Sequence, residues 1–285
     1  MIYKFFTFFV GMALLFSTVA YAAEVRNDHH YILKYDVYAG GFHALKAQYE
    51  STQTEGNYSL NIKTATNGFI GNLFPWSGAY ETKGLVDKDN QFTPTSHTST
   101  SMWQGQSKEK SLAFKDGKII SFTDTEGKKS HTYDKLKTDL TSDAQDLLTA
   151  SLTAFNGLEP EQGCKSSGIA FDGKRKFKVK LTDGETVSLR KSKYSSFAGD
   201  ALKCTLQVEA LAGFKDKDQK RGWMLIQNHT EEHGKKPSVW FSQLQENGPM
   251  VPVRMQIASR YGTVIAHLTS FSIPSLSNLN TAAGQ

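Results

Sequence analysis

Tyr31-Ile32-Leu33-Lys34-Tyr35-Asp36-Val37-Tyr38, followed by Ala39-Gly40-Gly41, decides the fold. Odd positions are apolar and even positions are mixed, so the side chains sort onto two faces with period 2. That is a strand with one face buried and one in water. The glycines stop it, and Phe42 to Tyr49 resumes. Strand, glycine turn and strand make a hairpin.

The same grammar recurs along the chain. Tyr58, Leu60 and Ile62 alternate with Ser59, Asn61 and Lys63. Phe177, Val179 and Leu181 alternate with lysines, and Cys204, Leu206 and Val208 alternate with Thr205, Gln207 and Glu209. Asp116-Gly117 and Asp183-Gly184 sit between strand-like runs as hairpin turns, with Glu126-Gly127, Asn247-Gly248 and Tyr261-Gly262 as weaker versions. About a dozen strands at this spacing predict an all-β fold. The expected architecture is a curved antiparallel sheet forming an open or spiral barrel. Strands with one solvated face also explain a mean hydropathy of −0.43.

One segment breaks the rhythm. Ser142 and Gln145 have capping-box spacing, and Leu147, Leu148, Leu152 and Phe155 then share a helical face before Asn156-Gly157. The reading is an amphipathic helix over Asp143–Phe155, packed on the concave face or rim of the barrel.

The N-terminus speaks to compartment. Met1 to Lys4 carries one positive charge, Phe5 to Val19 is an apolar run, and Ala20-Tyr21-Ala22 is small-x-small. This is the pattern of a cleaved signal peptide over residues 1–22. No cysteine lies near the cut, so no acyl anchor is expected. The reading is a soluble periplasmic protein, not an integral membrane one, with a single barrel-like domain over 23–273 and a loose tail over 274–285. In an oxidising compartment the only two cysteines, Cys164 and Cys204, are expected to pair. Their loop of 40 residues gives about 4 kcal/mol in the chain-entropy model. A zinc site would want more thiols, and a redox pair would sit as C-x-x-C.

Composition excludes more than it names. With 285 residues, 39% of them hydrophobic, the chain is too apolar for disorder. A net charge of +5 is too low for a dedicated nucleic-acid binder, so no nucleic-acid partner is expected. His229-Thr230-Glu231-Glu232-His233 spells an inverted zincin motif, but Gly234 and Pro237 leave no helix to carry it, and it reads as a solvated loop. No nucleophile elbow or phosphate loop occurs. No catalytic residue, metal site or cofactor is expected, although a dispersed hydrolase site is not visible to this kind of reading. Lys174 to Lys180 reads as a solvated strand face whose lysines guard an edge. Gly68 to Gly78 packs five large apolar side chains between glycines with no clean period. It reads as a bulged buried strand or as an apolar lip. Phe69, Ile70, Leu73, Phe74 and Trp76 are therefore the candidate ligand-binding residues.

Several segments together resemble a known family. Tyr35 to Phe42, Gly68 to Ser77, Gly163-Cys164 and Phe171-Asp172-Gly173-Lys174-Arg175 belong to the likeness. So do Ala201-Leu202-Lys203-Cys204, Leu211-Ala212-Gly213-Phe214, Val239-Trp240-Phe241, Val251-Pro252-Val253-Arg254 and Gly262-Thr263-Val264-Ile265. Over residues 31–271 the chain is similar to the exported bacterial proteins catalogued as domain of unknown function 3108. The resemblance implies an all-β periplasmic protein and no reaction. The functional expectation is a non-enzymatic envelope factor that holds a lipid, an acyl chain or an apolar protein segment in its barrel. The alternative is an envelope scaffold with a packed interior that binds a protein partner.

Overall fold

The computed structural model describes residues 28–274, apart from 55, 159–160, 220–223, 225–226, 229, 231–233, 247 and 260–261. The expected signal peptide, the polar tail and most of the His229–His233 motif lie outside the described residues. The Asn247-Gly248 and Tyr261-Gly262 turns are described only at their glycines.

Fourteen strands form one antiparallel sheet. They are β1 (His29–Ala39), β2 (Phe42–Thr54), β3 (Asn57–Thr66), β4 (Trp76–Val86), β5 (Phe92–Trp103), β6 (Gln106–Lys115), β7 (Lys118–Glu126), β8 (Lys129–Tyr133), β9 (Ser166–Phe171), β10 (Lys176–Leu189), β11 (Gly199–Ala212), β12 (Ser238–Gln243), β13 (Met250–Ser259) and β14 (Gly262–Ser272). The chain meanders from β1 to β8, starts again at β9 on the far edge, and returns through β14 to pair with β1. The opening stretch is thus the seam of the sheet: Leu33 lies opposite Tyr49 of β2, and Tyr35 opposite Leu268 of β14. Among the described residues four helices interrupt the strands: α1 (Gly68–Leu73), α2 (Thr138–Thr141), α3 (Leu147–Asn156) and α4 (Asp216–Gln219).

The hairpin chemistry holds in two of the turns, where positive φ is needed. Asp116 (50°) and Gly117 (72°) join β6 to β7, and Gly127 (58°) lies in the β7–β8 turn. Asp183-Gly184 is different. β10 runs straight through it, and the register with β11 slips between Thr182 and Glu185, so the pair makes a bulge and not a hairpin. Gly184 is needed because a Cβ there would collide with the Cys164 backbone. The lysines of β10 guard no edge either, since β9 and β11 pair on both sides; Lys180 Nζ instead meets Glu209 Oε2 at 3.2 Å. Gly68 to Gly78 is neither a buried strand nor a bulge. It folds as α1 followed by the start of β4, and α1 buries none of its side chains.

α3 sits inside the curl of the sheet. Leu148 and Leu152 pack with Tyr58, Leu60, Val86 and Phe92 of the first meander. Ala154 and Phe155 pack with Leu181, Leu202, Val239 and Phe241 of the second. One helix therefore gives both halves of the sheet a common core. It also approaches β9 backbone to backbone: a Cβ at Gly168 would overlap the Ala150 carbonyl. Cys164 and Cys204 are joined, with Cα atoms 5.6 Å apart, and tie the loop after α3 to the middle of β11. The far edges approach through side chains. Phe122 of β7 meets Phe171 of β9 edge-on at 6.5 Å, beside Leu112, Ile119 and Ala144. The sheet curls towards a barrel without a ladder between β8 and β9.

Candidate functional site

The helix does not begin where local spacing predicts. Ser142 and Gln145 do not cap it; the N-cap is Asp146, and the helix runs only from Leu147 to Asn156. Gln145 is drawn into a bridge with Ala170, its amide donating to Ile169 O at 2.9 Å. Gly157 ends the helix as expected, its N–H donating to Thr153 O at 3.2 Å.

Asp146 is fully buried and spends both oxygens on anchoring. Oδ1 accepts the Leu148 and Thr149 amides at 2.9 and 3.1 Å and the Thr82 hydroxyl at 2.8 Å. Oδ2 accepts the Thr149 hydroxyl at 2.6 Å. Thr82 has given its only proton to Asp146, so it accepts from His97 Nδ1 at 2.8 Å, and that nitrogen lies 3.3 Å from Asp146 Oδ1. Tyr58 OH meets Thr149 Oγ1 at 2.8 Å. Burial raises the Asp146 carboxyl, but hydrogen bonding and charge from His97, with the Thr149 hydroxyl and amide, hold it below its ordinary value. The carboxylate, imidazole and hydroxyl have the residue types of a catalytic relay. Here both oxygens are engaged by α3 and by Thr82 of β4, and Thr82, Asp146 and Thr149 are all 0% exposed, so no substrate reaches them. Among the described residues no group of three His, Cys, Asp or Glu could hold a metal ion.

The anchored helix divides the interior into two apolar clefts. The first, about 360 Å³, lies between α3 and the first meander and is lined by Tyr35, Tyr49, Leu60, Ile62, Leu148 and Leu152. The second, about 380 Å³, lies against β10 and β11, with Phe177, Val179, Leu206 and Val208 in its wall. Leu147, Ser151, Phe155 and Met255 line both. Burial pushes the Tyr49 phenol up to about 12, and the Tyr35 phenol, which donates to Pro252 O at 2.7 Å, well above its ordinary value. Both therefore stay neutral, and the first cleft presents no phenolate to a ligand. Each volume lies in the range of small-molecule sites.

The residues singled out in the sequence lie elsewhere. Phe69, Ile70, Leu73, Phe74 and Trp76 come together at one end of the sheet, and none lines either interior cleft. Phe69, Leu73 and Phe74 are exposed, and Trp76 borders an outer recess beside Asn67 and Gln104. The cleft residues carry no signal of their own. Each is an ordinary inward position of an alternating strand or of the amphipathic helix.

The crystal structure of a beta-barrel-like protein of domain of unknown function DUF1849 from Brucella abortus is similar to this chain. The identity is 16% and the TM-score 0.45, over 87% of this chain and 98% of that one. No curated protein matches the sequence. The family model for proteins of unknown function, DUF3108, matches residues 34–269, and the chain belongs to that family.

Proposed function

We propose that this protein is a non-enzymatic factor of the bacterial cell envelope that carries a lipid, an acyl chain or an apolar protein segment beside α3. The observation that supports this reading is the pair of apolar clefts sharing Leu147, Ser151, Phe155 and Met255. A core packed to native density leaves few voids larger than a water molecule. Two clefts of this size that meet along one face of α3 suit a flexible apolar guest. The expected export segment and the Cys164–Cys204 bond are compatible with a periplasmic home. No described helix is long and apolar enough to cross a membrane.

Native mass spectrometry of the exported protein, purified without detergent, tests the carrier. A bound mass of lipid size, removed by organic extraction, is expected. Ser151→Trp places an indole between the clefts and is expected to abolish that mass. A bare mass for the unmodified protein favours the second reading, a scaffold whose surface binds an envelope protein, to which the central position of α3 lends support.

A further inference from the structure

Six large apolar side chains crowd one end of the sheet. They are Phe42 at the start of β2, Phe69, Leu73 and Phe74 in and after α1, and Met102 and Trp103 at the end of β5. Each is between 45% and 67% exposed. A single exposed apolar residue is ordinary, but six at one edge mark an interaction site. The lip is held in shape. Thr66 Oγ1 donates to Phe74 O and accepts from the Trp76 amide, both at 2.9 Å. The Asn67 amide donates to Ala44 O at 3.0 Å, and the Phe74 ring stacks on Trp103 at 6.4 Å. These backbone bonds fix α1 while its side chains point into solvent.

A groove of about 760 Å³ leads from the lip along the sheet, on the face opposite Leu33 and Tyr49. Ala65, Ala79 and Thr100 lie along it, and Met102 belongs to both groove and lip. Lys34, Lys46 and Lys63 converge on it. Lys46 lies opposite Ala65, next to the lip, and Lys34 and Lys63 both lie opposite Gln48, two residues further along. The groove's one acid, Asp36, stands 3.3 Å from His43 Nε2. Among the described residues no carboxylate forms an ion pair with any of the three lysines. Two residues of strand place the second lysine row about 7 Å behind the first. That matches a headgroup layer of roughly 5–7 Å on each side of a bilayer. β1 begins and β14 ends at the opposite end of the sheet, where Ile32 pairs with Ser272, so the described chain ends leave the lip clear.

We propose that this end of the protein docks on a bilayer surface carrying anionic phospholipid. The aromatic lip enters the acyl boundary, and Lys34, Lys46 and Lys63 meet lipid phosphates. The proposal does not require a ligand in the interior clefts, because no lip residue lines them. The test is partition of the exported protein into vesicles of phosphatidylcholine alone and of phosphatidylcholine mixed with phosphatidylglycerol. The mixed vesicles are expected to bind at least about ten-fold more tightly, and added salt to weaken that difference. Lys34→Gln/Lys46→Gln/Lys63→Gln is expected to bind both compositions alike. Phe69→Ser/Phe74→Ser is expected to lose about ten-fold on the mixed vesicles at unchanged Tm, since both side chains are exposed. No preference for the anionic vesicles overturns the proposal. So does either variant binding them as the unmodified protein does.

Discussion

Asp146 ties α3 to the first meander. It caps α3 from one oxygen and holds Thr82 of β4 with the same atom, with His97 of β5 alongside. Asp146→Ala removes the cap and leaves two buried amides and two buried hydroxyls short of a partner. It is expected to cost about 3 kcal/mol, roughly 8 °C in Tm by calorimetry. A loss near zero would mean that packing alone holds α3. The same residue sets an acid limit. Its folded carboxyl lies below the ordinary value, so the unfolded chain takes up that proton first as pH falls. The stabilisation is complete above about pH 4 and fades as pH drops through the folded value. Asp146→Asn is expected to flatten the fall in stability below about pH 4, read by urea unfolding at each pH. Cys164 and Cys204 act through the unfolded chain instead. Replacing both with serine is expected to lower the urea-unfolding free energy by about 3–4 kcal/mol, with the secondary structure kept in far-UV dichroism.

At the scale of elements, α3 decides whether the interior is open. Its closeness to β9 depends on Gly168, where any side chain meets the Ala150 carbonyl. Gly168→Val is expected to push the helix towards Met255, narrow the second cleft and destabilise by about 3 kcal/mol. Equal near-UV dichroism and stability in that variant would show that the contact is unimportant. The elements also show what local pattern conveys. β1 and the Asp116-Gly117 hairpin are legible because period 2 and positive φ depend on adjacent residues. Local spacing misplaces the α3 cap because Ser142 and Gln145 satisfy the local rule, whereas Asp146 wins through Thr82, 64 residues away in sequence. Asp183-Gly184 misleads for a similar reason: its glycine answers a contact with Cys164, not a turn. α1 is six residues long, too short to show a helical period. The candidate residues from Phe69 to Trp76 were recognisable as unusual, and their exposure explains why. Their distance from the interior clefts depended on where β3, α1 and β4 end in the sheet, which no local spacing reports.

At the scale of the whole molecule, a single open sheet encloses a helix and leaves two clefts along one of its faces. The first cleft is built from β1, β2, β3, β13, β14 and α3, and the second from β10, β11, β13 and α3. No cleft exists until both meanders have closed on the helix. The end that carries the aromatic lip is also where β10 starts and β11 stops, near Arg175 and Phe214 of the second cleft. The most direct test of the carrier reading is titration of a fluorescent apolar probe, N-phenylnaphthylamine, into extracted protein, compared with Ser151→Trp. The account predicts saturable binding with a blue-shifted emission, displaced by a fatty acid and lost in Ser151→Trp at unchanged Tm. Equal binding by Ser151→Trp, or no saturable binding by the unmodified protein, would contradict it.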